Sequence, residues 1–186
     1  MKNPLYLAIV AIGIIVLSII LTSPVESLLG KTKYALPGAI HGGIAILYFI
    51  SATLLLYLSY QLFTNKLNDY NELRLVSLVS SILSFLTILF GAWIYIFYRE
   101  KNSVRAWFIE NMPEIHKIFF EFKEMIALFT FPLTLTVFFI LLVNDKKAFE
   151  SNKKLATVVF ILTLLAWIYM AIPFMLGAAI TKIKSI

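Results

Sequence analysis

Long uninterrupted apolar stretches alternate along this chain with short polar ones, and the apolar stretches have the length of a bilayer crossing. A hydrocarbon core of ~30 Å takes roughly twenty residues of helix. Five uncharged runs meet that length, at about 4–22, 39–63, 75–98, 125–143 and 155–181. In lipid, backbone polar groups must be satisfied internally, and continuous apolar runs of this length satisfy them as helices. The pattern therefore predicts an all-α integral membrane protein, a bundle of five transmembrane helices forming one membrane domain over residues 1–186.

The connections over residues 64–74 and 144–154 are short and polar. Short connections force antiparallel neighbours, so spans two and three form one hairpin and spans four and five another. Alternating crossings put the N-terminus and both short connections on one side, here side A. Residues 22–38, residues 99–125 and the C-terminus then fall on side B. The stretch 99–125 mixes charges with Trp107, Phe108, Phe119, Phe120 and Phe122, the composition of an interfacial helix followed by a helical extension. Asn111 is placed to cap that extension, with Pro113 and Glu114 in its first turn. The fourth helix is thus expected to begin near His116 and to continue without a break into Met125, giving a span of about 113–143 that protrudes from the hydrocarbon at its start. Pro132 and Pro173 lie inside spans and free the carbonyls of Leu128 and Tyr169, which predicts kinks.

Composition agrees with the pattern: 61% of residues are hydrophobic and 14% charged, with a mean hydropathy of +0.91. Lys2 ahead of an apolar stretch has the look of a signal peptide. That stretch is longer than a signal core, however, and Thr22-Ser23-Pro24 is a poor cleavage site, so a retained first helix is expected. The net charge of +6 is spread over the loops rather than gathered in one stripe, which argues against nucleic acid and for lysines at membrane borders. Lys and Arg divide almost evenly between the two sides, so the charge bias does not orient the chain. The expected setting is a multi-pass protein of a lipid bilayer, the cell membrane being the ordinary one. There is no cysteine, which excludes disulfides, thiolate metal sites and covalent haem attachment.

Against this background the two histidines stand out, because ionisable groups at membrane depth are rare and usually functional. His41 opens the second span and His116 lies just ahead of the fourth, both towards side B. Around His41 the sequence reads Pro37-Gly38-Ala39-Ile40-His41-Gly42-Gly43, and Gly38, Ala45, Tyr48 and Ala52 share its face at helical spacing. Small residues of this kind leave a groove for a flat macrocycle. Two imidazoles on different helices are the axial ligand set of a b-type haem, so His41 and His116 are expected to hold one iron near side B, with Gly38, Gly42, Gly43, Ala45, Tyr48 and Phe120 lining the site. His116 precedes Met125 by nine residues, about 13 Å along a helix, so the site lies at the membrane border. Lys31, Lys33, Arg99, Arg105 and Lys117 are then candidates to neutralise propionates. Lys123 shares a face with His116 and is expected to pair with Glu121 or Glu124. Aromatic residues near side B would also pack against a quinone headgroup.

In general plan the chain resembles the small membrane-anchor cytochromes b, on the strength of His41 with its glycines and of His116, over roughly residues 39–181. The resemblance implies an electron-transfer subunit that exchanges electrons between a quinol and a partner redox subunit, non-catalytic or at most quinol-oxidising. Those cytochromes often hold two haems through four histidines, whereas two histidines allow one. Two readings from other classes stand beside it. One is a cofactor-free structural or assembly subunit of a larger membrane complex, and the other a small transporter.

Overall fold

The computed structural model describes residues 32–101 and 103–183, and the first expected span, 4–22, lies outside them. Among the described residues all regular structure is helical. In chain order the helices are α1 (Ala35–Phe63), α2 (Tyr70–Tyr98), the short α3 (Val104–Asn111), a π-helical segment (Ile115–Phe120), α4 (Glu121–Leu128), α5 (Thr130–Val143), the short α6 (Lys146–Ser151) and α7 (Lys153–Ile183). Four stretches are long and apolar enough to cross a membrane: Ala35–Phe63, Tyr70–Tyr98, Ile115–Val143 and Lys153–Ile180. The protein is a multi-pass membrane protein, with four of the five expected spans within the described residues.

The helices extend beyond the apolar runs because their ends are held by polar groups. Asp69 caps α2, its carboxylate accepting from the backbone N–H groups of Asn71 (2.8 Å) and Glu72 (3.2 Å), so α2 starts at Tyr70 rather than at Leu75. Asn65 takes the left-handed conformation (φ 57°) just past α1, which asparagine tolerates better than most residues. Asn111 does not cap the fourth span as expected. It is the last residue of α3, and its side-chain amide donates to the carbonyl of Trp107 at 2.8 Å. The fourth span opens as a π-helix, continues without a gap into Met125 as expected, and is interrupted at Phe129. Pro132 accounts for the break, since it offers no N–H to the Leu128 carbonyl and its ring crowds that turn.

α1 packs on α2 and α7, and α5 packs on the same two helices, which closes a four-helix ring with α1 and α5 on one diagonal. Three contacts fix the register of α2 against the fourth span. The Tyr70 hydroxyl donates to the Asn144 carbonyl at 2.9 Å, the Ser84 and Thr130 hydroxyls bond at 2.8 Å, and the Tyr98 hydroxyl meets His116 Nδ1 at 3.0 Å. These rungs are fourteen residues apart on both strands of the ladder, about 21 Å of helix each. The side A half of the interior is mostly hydrocarbon, with Leu55, Leu73, Val137, Leu141 and Val159 fully buried beside Ser59 and Ser77, whose hydroxyls bond their own helices. Outward chains such as Ile50, Ile82, Phe139 and Leu142 stay exposed, the apolar exterior that lipid requires.

The arrangement predicts the sidedness of the connections. Cysteines introduced at Asn68 and Ser151 should react with an impermeant thiol reagent from one side of a sealed vesicle, and a cysteine at Ser103 from the other. Because the chain has no cysteine of its own, labelling is read without background. Reaction of Ser151→Cys and Ser103→Cys from the same side would break the four-span topology.

Candidate polar site at the side B end

Ionisable side chains gather at the side B end of the ring, in two layers set by the register of α2. The outer layer is built on Tyr98, the last residue of α2. Its ring stacks on Phe120 (centroids 4.6 Å apart, planes at 14°) and its hydroxyl bonds His116. The wider turn of the π-helix brings His116 and Phe120 together against Tyr98, the kind of local insertion that recurs at functional sites. Phe108, fully buried, closes this cluster edge-on to Phe120 and pins α3 to the bundle. Phe108 is therefore core, and only its neighbour Trp107 remains in part on the surface.

Beside His116 lies a polar cavity of about 360 Å³ lined by Tyr95, Arg99, Arg105, His116 and Glu121. The Arg99 guanidinium lies 4.3 Å from the centre of the Tyr95 ring, a cation–π arrangement that fixes its position. Arg99 and Arg105, two of the basic residues expected to meet acidic groups here, do share one site with His116. Of the others, Lys33 pairs with Glu100 instead. The hydrogen bond from Lys33 to that carboxylate holds its ammonium above the ordinary lysine range.

The inner layer holds His41. Its Nδ1 lies 3.0 Å from the carbonyl oxygen of Thr87, and because a carbonyl can only accept, Nδ1 carries the proton. Gly91 makes this possible, standing one turn beyond Thr87 over the same carbonyl. A Cβ built on Gly91 would sit 3.1 Å from His41 Cε1. The ladder places Lys123 opposite Gly91, midway between His116 and Thr130 as Gly91 is midway between Tyr98 and Ser84. The expected pairing of Lys123 with Glu121 or Glu124 is not formed: among the described residues no carboxylate lies within ion-pair distance of it, and its Nζ rests 4.7 Å from the centre of the Phe120 ring.

The two histidines thus stand on the expected diagonal helices and on the expected side, but not at one level. His41 meets α2 at Thr87 and Gly91, whereas His116 meets it at Tyr98, two turns beyond Gly91 and about 10 Å along the axis. Each imidazole commits Nδ1 to a hydrogen bond, and for His41, whose partner is a carbonyl, this leaves Nε2 as the acceptor nitrogen. The offset does not fit one iron shared between them, which needs ring nitrogens roughly 4 Å apart. Of the small residues expected to line a groove, Gly38, Gly42 and Gly43 have nothing within 4 Å of where a Cβ would stand. Ala45 is half-buried. Tyr48 is buried deeper in the bundle beside Ala52 and Met170. The glycine that admits an imidazole is Gly91. Among the described residues no group of three metal-binding side chains occurs.

The sequence pattern alone neither singles out Tyr95 and Tyr98 nor sets Lys123 beside His41. A signal for both was present. His41 and Tyr48 on α1, Ser84, Gly91 and Tyr98 on α2, and His116, Lys123 and Thr130 on the fourth span all recur at seven-residue spacing, so each set shares one helix face. No protein family, curated protein or solved structure matches the chain.

Proposed function

We propose that the chain is a quinone-linked electron-transport subunit of the membrane, with the side B cavity as the headgroup site. The observation that carries this reading is the cavity itself. It is polar, its volume falls within the range of small-molecule sites, and it lies among aromatic rings where an apolar bundle meets the interface. A quinone headgroup is a flat ring with two carbonyl acceptors on a lipid-soluble tail. Arg99 and Arg105 donate to such carbonyls, and Tyr95 in the cavity wall offers an aromatic edge for the ring to pack against. Oxidation of a quinol releases two electrons and two protons. His116, held by Tyr98, and Glu121 accept the protons, and the electrons pass to a redox centre in a partner subunit, since this chain's side chains supply none. The b-type haem expected from the histidine pair would require another register between the helices, and no step here runs through it.

The test is a titration of the purified protein in nanodiscs with a short-tailed quinone, followed by quenching of tryptophan fluorescence. Saturable quenching is expected, with at least tenfold weaker binding in Arg99→Ala and Arg105→Ala. Non-saturable quenching that is identical in the variants would overturn the reading.

A further inference from the structure

We infer that the side B half of the bundle is a hydrated, proton-accessible half-channel, running from the outer cavity through the His41–Lys123 layer to Tyr48 and closed towards side A. The inference is independent of what the outer cavity binds. It begins with an orphan. Tyr48 is 2% exposed and its hydroxyl has no hydrogen-bond partner, which buried hydroxyls rarely tolerate. At the same level of the ladder the Ser84 and Thr130 hydroxyls bond each other at 2.8 Å. One turn below Ser84, the Ser80 hydroxyl bonds Ser51 at 2.9 Å.

Most other buried hydroxyls are accounted for by their own helices. Ser59, Ser77, Ser81, Thr134 and Thr163 all donate to carbonyls three or four residues back, the ordinary way such residues serve close helix packing in lipid. Tyr48 is not explained that way. A water molecule bridging its hydroxyl to the Ser84–Thr130 pair has the polar partners such a molecule needs.

The register supplies the route. Tyr48 is two turns below His41 on one face of α1, as Ser84 is below Gly91 and Thr130 below Lys123. The layers therefore stack as cavity, then imidazole and amine, then phenol and hydroxyls. In the middle layer the space beside Gly91 is filled by the His41 imidazole, so the route there is lined by a polar ring. Two further turns towards side A, Leu55 and Val137 are fully buried, Leu58, Leu62 and Leu141 pack behind them, and the Ser77 hydroxyl at that level is taken by the Arg74 carbonyl of its own helix. Hydrocarbon of this kind excludes water, so exchange is with side B alone. Ionisable residues inside a membrane bundle mark such proton paths when they face the interior.

Hydroxyl-radical footprinting of the wild-type protein in nanodiscs tests this, because radicals made from bound water modify side chains next to it. Tyr48 and the adjacent Met170, both buried, should be modified at rates within about threefold of a residue in the outer cavity such as Tyr95. In the His41→Leu/Lys123→Leu variant, whose middle layer is apolar, both rates should fall at least fivefold while Tyr95 is unchanged. Two results would overturn the inference. One is an unmodified Tyr48 and Met170 in the wild-type protein, meaning that the phenol closes directly on Ser84 or Thr130 in a dry core. The other is equal modification in the two proteins, meaning that water arrives by another route.

Discussion

Gly91→Leu is expected to destabilise the bundle by about 3 kcal/mol, because the space a side chain would need at that position is taken by His41. Overpacking an interior costs roughly 1–3 kcal/mol, and the bond between His41 Nδ1 and the Thr87 carbonyl is lost as the imidazole is displaced, adding about 1 kcal/mol. Alanine at the same site should be far milder. Its Cβ asks the imidazole to yield by only a few tenths of an ångström, and replacing a mid-helix glycine returns roughly 0.5–1 kcal/mol of helix preference. The rescue is diagnostic: Gly91→Leu/His41→Ala should recover most of the stability lost in Gly91→Leu. Unfolding in mixed micelles measures all three variants. A Gly91→Leu protein as stable as the wild type would mean that α1 does not approach α2 here.

Phe108→Ala should lower stability by about 3–5 kcal/mol, the usual cost of emptying a fully buried aromatic site. Phe108 has no exposed surface and stands edge-on to both Trp107 and Phe120. Its loss releases α3 from the π-helical segment and removes one wall of the outer layer, so the emission of Trp107 should shift to the red. Phe119, two-fifths exposed on the same segment, is the control. Phe119→Ala should change stability by no more than about 0.5 kcal/mol, as surface substitutions do. Equal losses in the two variants would contradict the placement of α3.

Four of the five expected spans and the two hairpins were legible in the sequence because membrane crossing is a matter of length and hydropathy, and both are local. The side of each connection follows from counting. The depth of a residue relative to one on another helix does not, since it depends on register, and register here is set by Tyr70, Ser84 and Tyr98 meeting their partners across the ladder. That is why His41 and His116 were correctly put at the same end yet not at their separate levels. The aromatic stretch from Trp107 to Phe122 was legible as amphipathic, but composition could not say that Phe108 and Phe120 turn inward while Phe119 turns out. The break at Phe129 was legible from Pro132. The π-helix was not, because the insertion answers to the packing of His116 and Phe120 on Tyr98 rather than to any local preference.

The layering of the side B site is the central claim, and paired cysteines on a chain with none of its own test it most directly. In His41→Cys/Lys123→Cys a short bismaleimide should bridge the two thiols within the bundle, and in His41→Cys/His116→Cys the same reagent should react far more slowly, since the second pair is offset by two helical turns. Efficient bridging of 41 to 116 and none of 41 to 123 would contradict the account and return the two histidines to one level.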